Sequence, residues 1–97
     1  MLRHVVLFTW APEATQEQIA AFRGGLGPMS AAVESIRDYH HGPDAGINPA
    51  NCDYAIVADF DDQAGYLGYR DHPAHREFVK TYVEPIAARR AVVQYEL

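Results

Sequence analysis

The sequence predicts an α+β fold, a four-stranded antiparallel sheet backed by helices, and three observations predict it. Four apolar runs rich in β-formers lie at residues 2–10, 36–42, 53–60 and 91–97. Between the first pair and before the last run, apolar residues recur at helical intervals, giving the order β-α-β-β-α-β. At 97 residues the chain has room for one domain, spanning 1–97, and not for two.

The first run, Leu2 to Trp10, alternates His4, Val6, Phe8 and Trp10 with Val5, Leu7 and Thr9. Both sets are largely apolar, which predicts a strand covered on both sides. Thr15 stands three residues before Gln18, the spacing of a capping box that opens a helix. Ile19, Phe22, Leu26, Met29 and Val33 then form its buried stripe. Gly24, Gly25, Gly27 and Pro28 interrupt that stripe, and the helix is expected to end or kink there. The second strand is followed by a Gly/Pro/Asn/Asp-rich loop over residues 43–51. In the third strand Tyr54, Ile56, Ala58 and Phe60 share a face. Asp61 or Asp62 can cap a short helix running to about Tyr69. His72-Pro73 restarts the helix, since proline suits its first position, and His75, Phe78, Val79, Tyr82 and Ile86 line one side until Pro85 bends or ends it. This order is the ferredoxin-like pattern. Helices cover one face of such a sheet, leaving Val5, Leu7, Val57 and Val93 for a second copy across a two-fold axis.

Composition narrows the function. Eight basic residues stand against 13 acidic ones, a net charge of −5, and the only adjacent basic pair is Arg89-Arg90. Nucleic acid and an anionic membrane surface both demand concentrated basic charge and are disfavoured as partners. The single cysteine, Cys52, permits no internal disulfide. The apolar run at the N-terminus is too short for a signal peptide or a membrane span, so the expected location is the cytoplasm.

The stretch Tyr69-Arg-Asp-His72-Pro-Ala-His75 carries the chemistry. His75 precedes Phe78 and Val79 by three and four residues, so its ring turns toward the core. A buried imidazole needs a hydrogen-bond partner, and Tyr69 is placed to supply one. Together they make an acid/base pair, an imidazole titrating near neutrality and a phenol able to donate to a developing oxyanion. The same pair also forms in cores only to satisfy itself. No metal site is expected: His72 and His75 lack a second ligand cluster, and His40 and His41 point to opposite faces of a strand. Asp59, Asp61 and Asp62 read as a solvated strand end and helix cap. Residues 24–28 lack the lysine and spacing of a phosphate loop, and no nicotinamide or flavin fingerprint is present, so no cofactor is expected.

The segment from Tyr69 to the His-Pro-Ala-His stretch, the opening Arg3-His4-Val5-Val6-Leu7-Phe8, Tyr54 to Asp61 and the closing strand resemble the stress-responsive dimeric α/β-barrel family over nearly the whole chain. The resemblance implies a ferredoxin-like protomer and a homodimer whose two sheets form a barrel. It also implies a small apolar or aromatic ligand. A plant branch cyclises linear polyketides by intramolecular aldol condensation without a cofactor. The histidine matching His75 is the acid/base there, and the tyrosine matching Tyr69 is its partner. His4 matches a histidine near the pocket, Phe22 an aromatic that lines it, and Val6, Phe8 and Ile56 match its apolar walls. His72 belongs to the same motif. Tyr54 stands where the cyclases carry a further pocket histidine, and Gln94 where they carry a carboxylate. Two other functions fit the same scaffold: a non-catalytic stress-response or binding dimer, and, by fold analogy alone, a cofactor-independent monooxygenase.

Overall fold

Alternation along the strands decides which side of the sheet is dressed. In the computed structural model, which describes residues 1–97, the elements are β1 (Leu2–Trp10), α1 (Gln16–Ala31), β2 (Ile36–Pro43), β3 (Tyr54–Phe60), α2 (Gln63–Asp71), α3 (Pro73–Phe78) and β4 (Ala87–Glu96). All neighbours pair antiparallel, in the order β2-β3-β1-β4, which is the ferredoxin-like arrangement the pattern predicts. On β1, Leu2, His4, Val6 and Phe8 are buried, and Val6 and Phe8 meet Phe22, Leu26 and Met29 of α1, Tyr69 of α2 and Phe78 of α3 in one core. The opposite face carries the row Val57–Val5–Val93, three residues in direct register across β3, β1 and β4.

That second face is bare. Leu7 is 36% and Val93 54% exposed. The expectation that β1 is covered on both sides therefore fails within the protomer: every helix packs on the same side. Asp59 also departs from expectation. It is not a solvated strand end but only 4% exposed, gripped on the bare face by Arg3 Nε and Nη2 at 2.8 and 2.9 Å. The guanidinium holds its carboxyl below the usual carboxylate range. Asp62 does cap α2, accepting from the Gly65 N–H at 2.9 Å, while Asp61 pairs with Arg37.

The capping box forms as read, with Gln18 N–H donating to Thr15 Oγ1 and Thr15 N–H to Gln18 Oε1. α1 then runs unbroken through its glycines and Pro28 to Ala31, longer than expected. The buried stripe explains why. Phe22 and Leu26 are wholly inaccessible, and burying such side chains stabilises by about 1.5–3 kcal/mol each, which offsets one proline and a few glycines. One glycine is also needed for packing. A Cβ on Gly25 would lie 2.7 Å from Phe78 Cε1, and that ring is packed between Phe22 and Tyr82. A Cβ on Gly24 would meet nothing within 4 Å. Gly25→Ala is therefore expected to destabilise by about 1–3 kcal/mol, whereas Gly24→Ala stabilises by about 0.5–1 kcal/mol through helix propensity. Urea midpoints decide it, and equal shifts for the two variants would refute the close-approach explanation.

After α2, His72 turns the chain: its Nδ1 accepts from the Ala74 N–H at 3.0 Å and Pro73 takes the first helical position. α3 widens into a π-helical turn over Val79–Val83, where the Glu84 N–H reaches back five residues to the Val79 carbonyl. β4 begins at Ala87, four residues before the expected start. Ala87-Ala88-Arg89-Arg90 has no strand signature of its own and pairs because Thr9 and Trp10 offer a ladder, with an irregularity between them. No helix of the chain is long and apolar enough to cross a membrane.

Candidate functional site

The helices pack over β1, β2 and β3 and leave the end of the sheet at β4 uncovered. This offset opens a cavity of about 370 Å³ between the sheet and the helices. Its floor is His4, Val6 and Phe8 of β1 with Ile56 of β3. α1 supplies Leu26 and Met29, α2 supplies Tyr66, Tyr69 and Arg70, and α3 supplies His75 and Phe78. Val79 and Val83 of the π-helical turn close one wall, and Arg90 and Val92 of β4 form the mouth. Eleven of the 15 lining residues are hydrophobic, the make-up of a small-molecule pocket with a few convergent polar groups.

Those polar groups are ordered. The N-terminal turn of α3 swings His75 back under α2, where its Nδ1 donates to the Arg70 carbonyl at 3.1 Å. A neutral imidazole has one N–H, so Nε2 keeps its lone pair. Burial pushes the His75 pKa below its ordinary value, with the Arg90 and His72 charges acting the same way, and the ring is neutral at pH 7. Tyr69 does not hydrogen-bond to His75 as expected; the rings lie in contact instead, with centroids 4.1 Å apart and planes tilted by 37°. Burial raises the Tyr69 phenol well above its ordinary value, so it serves as an O–H donor and not as a base. On the far side of Tyr69 is His4, 5.8 Å between centroids, with Tyr66 at 4.9 Å from it. Gln94 Nε2 donates to His4 Nδ1 at 2.9 Å, which places the His4 proton on Nε2. Around the His75 lone pair the cavity wall thus gathers the Tyr69 and His4 donors and no carboxylate.

Burial, assisted by His75, pushes His4 down to about 4. The native state then binds fewer protons than the unfolded chain between about pH 4 and the ordinary 6.5. The stability this contributes is complete above pH 6.5 and is lost as pH falls toward 4. Wild type is expected to lose about 2–3 kcal/mol over that window through this group, and His4→Leu should lack that loss. Parallel unfolding curves at pH 7 and pH 4.5 measure it; an unchanged pH slope in the variant would assign the acid sensitivity elsewhere.

Of the residues singled out from the sequence, His4, Val6, Phe8, Ile56, Tyr69 and His75 line the cavity. The other four lie outside its lining. Phe22 is inaccessible and packs edge-on to Phe8, Trp10 and Tyr54 in the core. Tyr54 turns to the opposite end of the sheet, where its hydroxyl meets His41 Nδ1 at 2.7 Å. His72 is the helix cap, and Gln94 acts through His4. Sequence reasoning missed Tyr66, Arg70 and Arg90. Arg90 alternates onto the helix-facing side with Val92 and Gln94, but only once β4 is known to start at Ala87.

A family model described as Stress responsive A/B Barrel Domain matches residues 2–97. Among solved structures, a dimeric ferredoxin-like protein of unknown function from Thermobifida fusca is 35% identical, with a TM-score of 0.92 over 99% of this chain and 90% of that one. A Dabb family protein with a ferredoxin-like fold from Mesorhizobium loti is 24% identical, TM-score 0.84, over 99% and 95%. A hydroxynitrile lyase from Passiflora edulis is 22% identical, TM-score 0.86, over 99% and 92%. The last two likenesses show the fold alone. No curated protein sequence matches the chain.

Proposed function

We propose that this chain, which belongs to the stress-responsive A/B barrel domain family, is a homodimer that binds a small, largely apolar compound in the cavity over β1 and acts on it without a cofactor. One observation carries the reading: the imidazole of His75, neutral through burial and with Nε2 left free because Nδ1 donates to the Arg70 carbonyl, lies against the buried phenol of Tyr69 at the wall of an apolar cavity. The finer reading is an intramolecular aldol-type condensation of a polyketide-like chain. His75 Nε2 takes a proton from a methylene between two carbonyls. The Tyr69 O–H, with the His4 Nε2–H behind it, holds the enolate oxygen. The new carbon–carbon bond forms at a second carbonyl, and the resulting alkoxide takes the proton back from His75. The apolar walls fold the chain so that its ends meet, and that positioning is worth several kcal/mol. The bare sheet face supports the dimer, as do dimeric relatives. A lyase on this fold supports an enzyme.

Proton removal can be read without the natural substrate. The methylene hydrogens of ethyl benzoylacetate exchange with solvent deuterium, and proton NMR follows them. The protein is expected to accelerate exchange over buffer, and the double variant Tyr69→Phe/His75→Gln, which keeps both shapes, is expected to drop to the buffer rate. A double variant as fast as wild type would sink the catalytic reading and favour the binding dimer, in which the ring contact between Tyr69 and His75 is packing.

A further inference from the structure

Three of the eight basic residues of this acidic chain gather at one place, the mouth of the cavity. Arg70 and Arg90 line the main cavity, and a second hollow of about 290 Å³ just outside it is walled by Arg70, His75, Arg76, Val79 and Arg90. No aspartate or glutamate lines either. Asp71, bonded to Arg70 at 2.9 and 3.1 Å and to Arg76 at 3.6 Å, offsets one of the three charges. Arg90 has no carboxylate partner at all; it stands opposite Phe8 on the helix-facing side of β4, with its charge felt at His75. An unpaired guanidinium at the edge of an apolar cavity is placed to meet an anion as a planar fork, and a carboxylate matches that fork with two parallel bonds.

We propose that the rim formed by Arg90 and Arg70 binds the carboxylate of a ligand whose apolar body fills the cavity, so that the site selects apolar monocarboxylates over neutral compounds of the same shape. This rests on the cavity being a ligand site, and it adds a substrate class that the His75–Tyr69 chemistry does not require. It also gives the ligand a direction. With the carboxylate at β4, the apolar end points inward past Tyr69 toward Leu26 and Met29 of α1, and the atoms between pass His75.

Two fluorescent probes of nearly equal shape separate the claims: 2-naphthoate, which is charged, and 2-naphthamide, which is not. Titrated against the intact protein, naphthoate is expected to bind about tenfold more tightly than naphthamide, and to weaken as salt rises. Arg90→Gln, an exposed substitution on an edge strand, is expected to lose about tenfold in naphthoate affinity and to leave naphthamide within about twofold. Arg90→Lys keeps the charge but not the fork and should fall between the two. If wild type binds both probes equally, or Arg90→Gln weakens both alike, the carboxylate rim is overturned while the cavity stands as a ligand site. If neither probe binds wild type, the cavity reading fails and the rim falls with it.

Discussion

Aspartate in place of Val93 is expected to convert the proposed dimer into monomers. The protomer is a slab of 35 × 27 × 18 Å, and its two broad faces differ: one is helix, the other bare sheet. A 35 × 27 Å rectangle encloses about 900 Å², close to the roughly 800 Å² per partner that a stable interface buries. The centre of the bare face is the Val57–Val5–Val93 row with Leu7 beside it, and at one end the Arg3–Asp59 pair satisfies its own charges. Two such faces stacked about a two-fold axis would bury the valines against one another at the sheet-packing distance of about 10 Å. A carboxylate at position 93 would then lie between the sheets, where Arg3 of the same face is already held by Asp59, a cost of about 3–5 kcal/mol per copy. The dimer dissociation constant should rise by at least about a thousandfold. Val93 is on an edge strand and half exposed in the protomer, so the substitution leaves the folded monomer intact. Val5→Asp, on a central strand, should dissociate the dimer too, at some cost to the protomer. Sedimentation velocity at micromolar concentration reads the result, and a Val93→Asp protein that stays dimeric with wild-type affinity would place the interface elsewhere.

What was legible in the sequence was local. The Thr15–Gln18 box, the Asp62 cap and the His72-Pro73 restart each depend on residues within four positions, and each stands in the structure. The misreadings are all tertiary. α1 survives its glycines and Pro28 because Phe22 and Leu26 are buried against a sheet not yet formed when the stretch is read alone. Asp59 is sheltered by an arginine 56 residues away, so it reads as one of three surface aspartates until β1 and β3 are paired. Arg90 was lost with the start of β4, since nothing in Ala87 to Arg90 signals a strand, and the positive rim of the cavity was lost with it. The Tyr69–His75 neighbourhood was visible because it is seven residues long. Its geometry was not: the imidazole bonds to the Arg70 carbonyl at the end of α2 and meets the phenol ring only by contact.

That choice of partner sets the expected behaviour of the reaction. His75→Ala should lower catalysed exchange of ethyl benzoylacetate by about 10²–10⁴-fold, the usual worth of a general base, equivalent to about 3–5.5 kcal/mol. Tyr69→Phe, which removes a hydrogen bond to developing charge and not the base, should cost less than His75→Ala. The pH profile separates a base from a packing residue. The base is active only when neutral, and burial holds the His75 pKa below its ordinary 6.5. The wild-type rate should climb with pH through that lowered value and then stay level across neutrality. Arg90 presses on the imidazole with a like charge, so Arg90→Gln should move the midpoint of the climb upward, toward 6.5. A residue that merely packs would leave the midpoint where it was when a neighbouring charge is removed. Should His75→Ala fold, bind 2-naphthamide as wild type does and still show the wild-type pH profile, the proton would have to be taken by another group. The structure then leaves His4, whose Nε2 carries a hydrogen and whose Nδ1 is engaged by Gln94, poorly suited to the task.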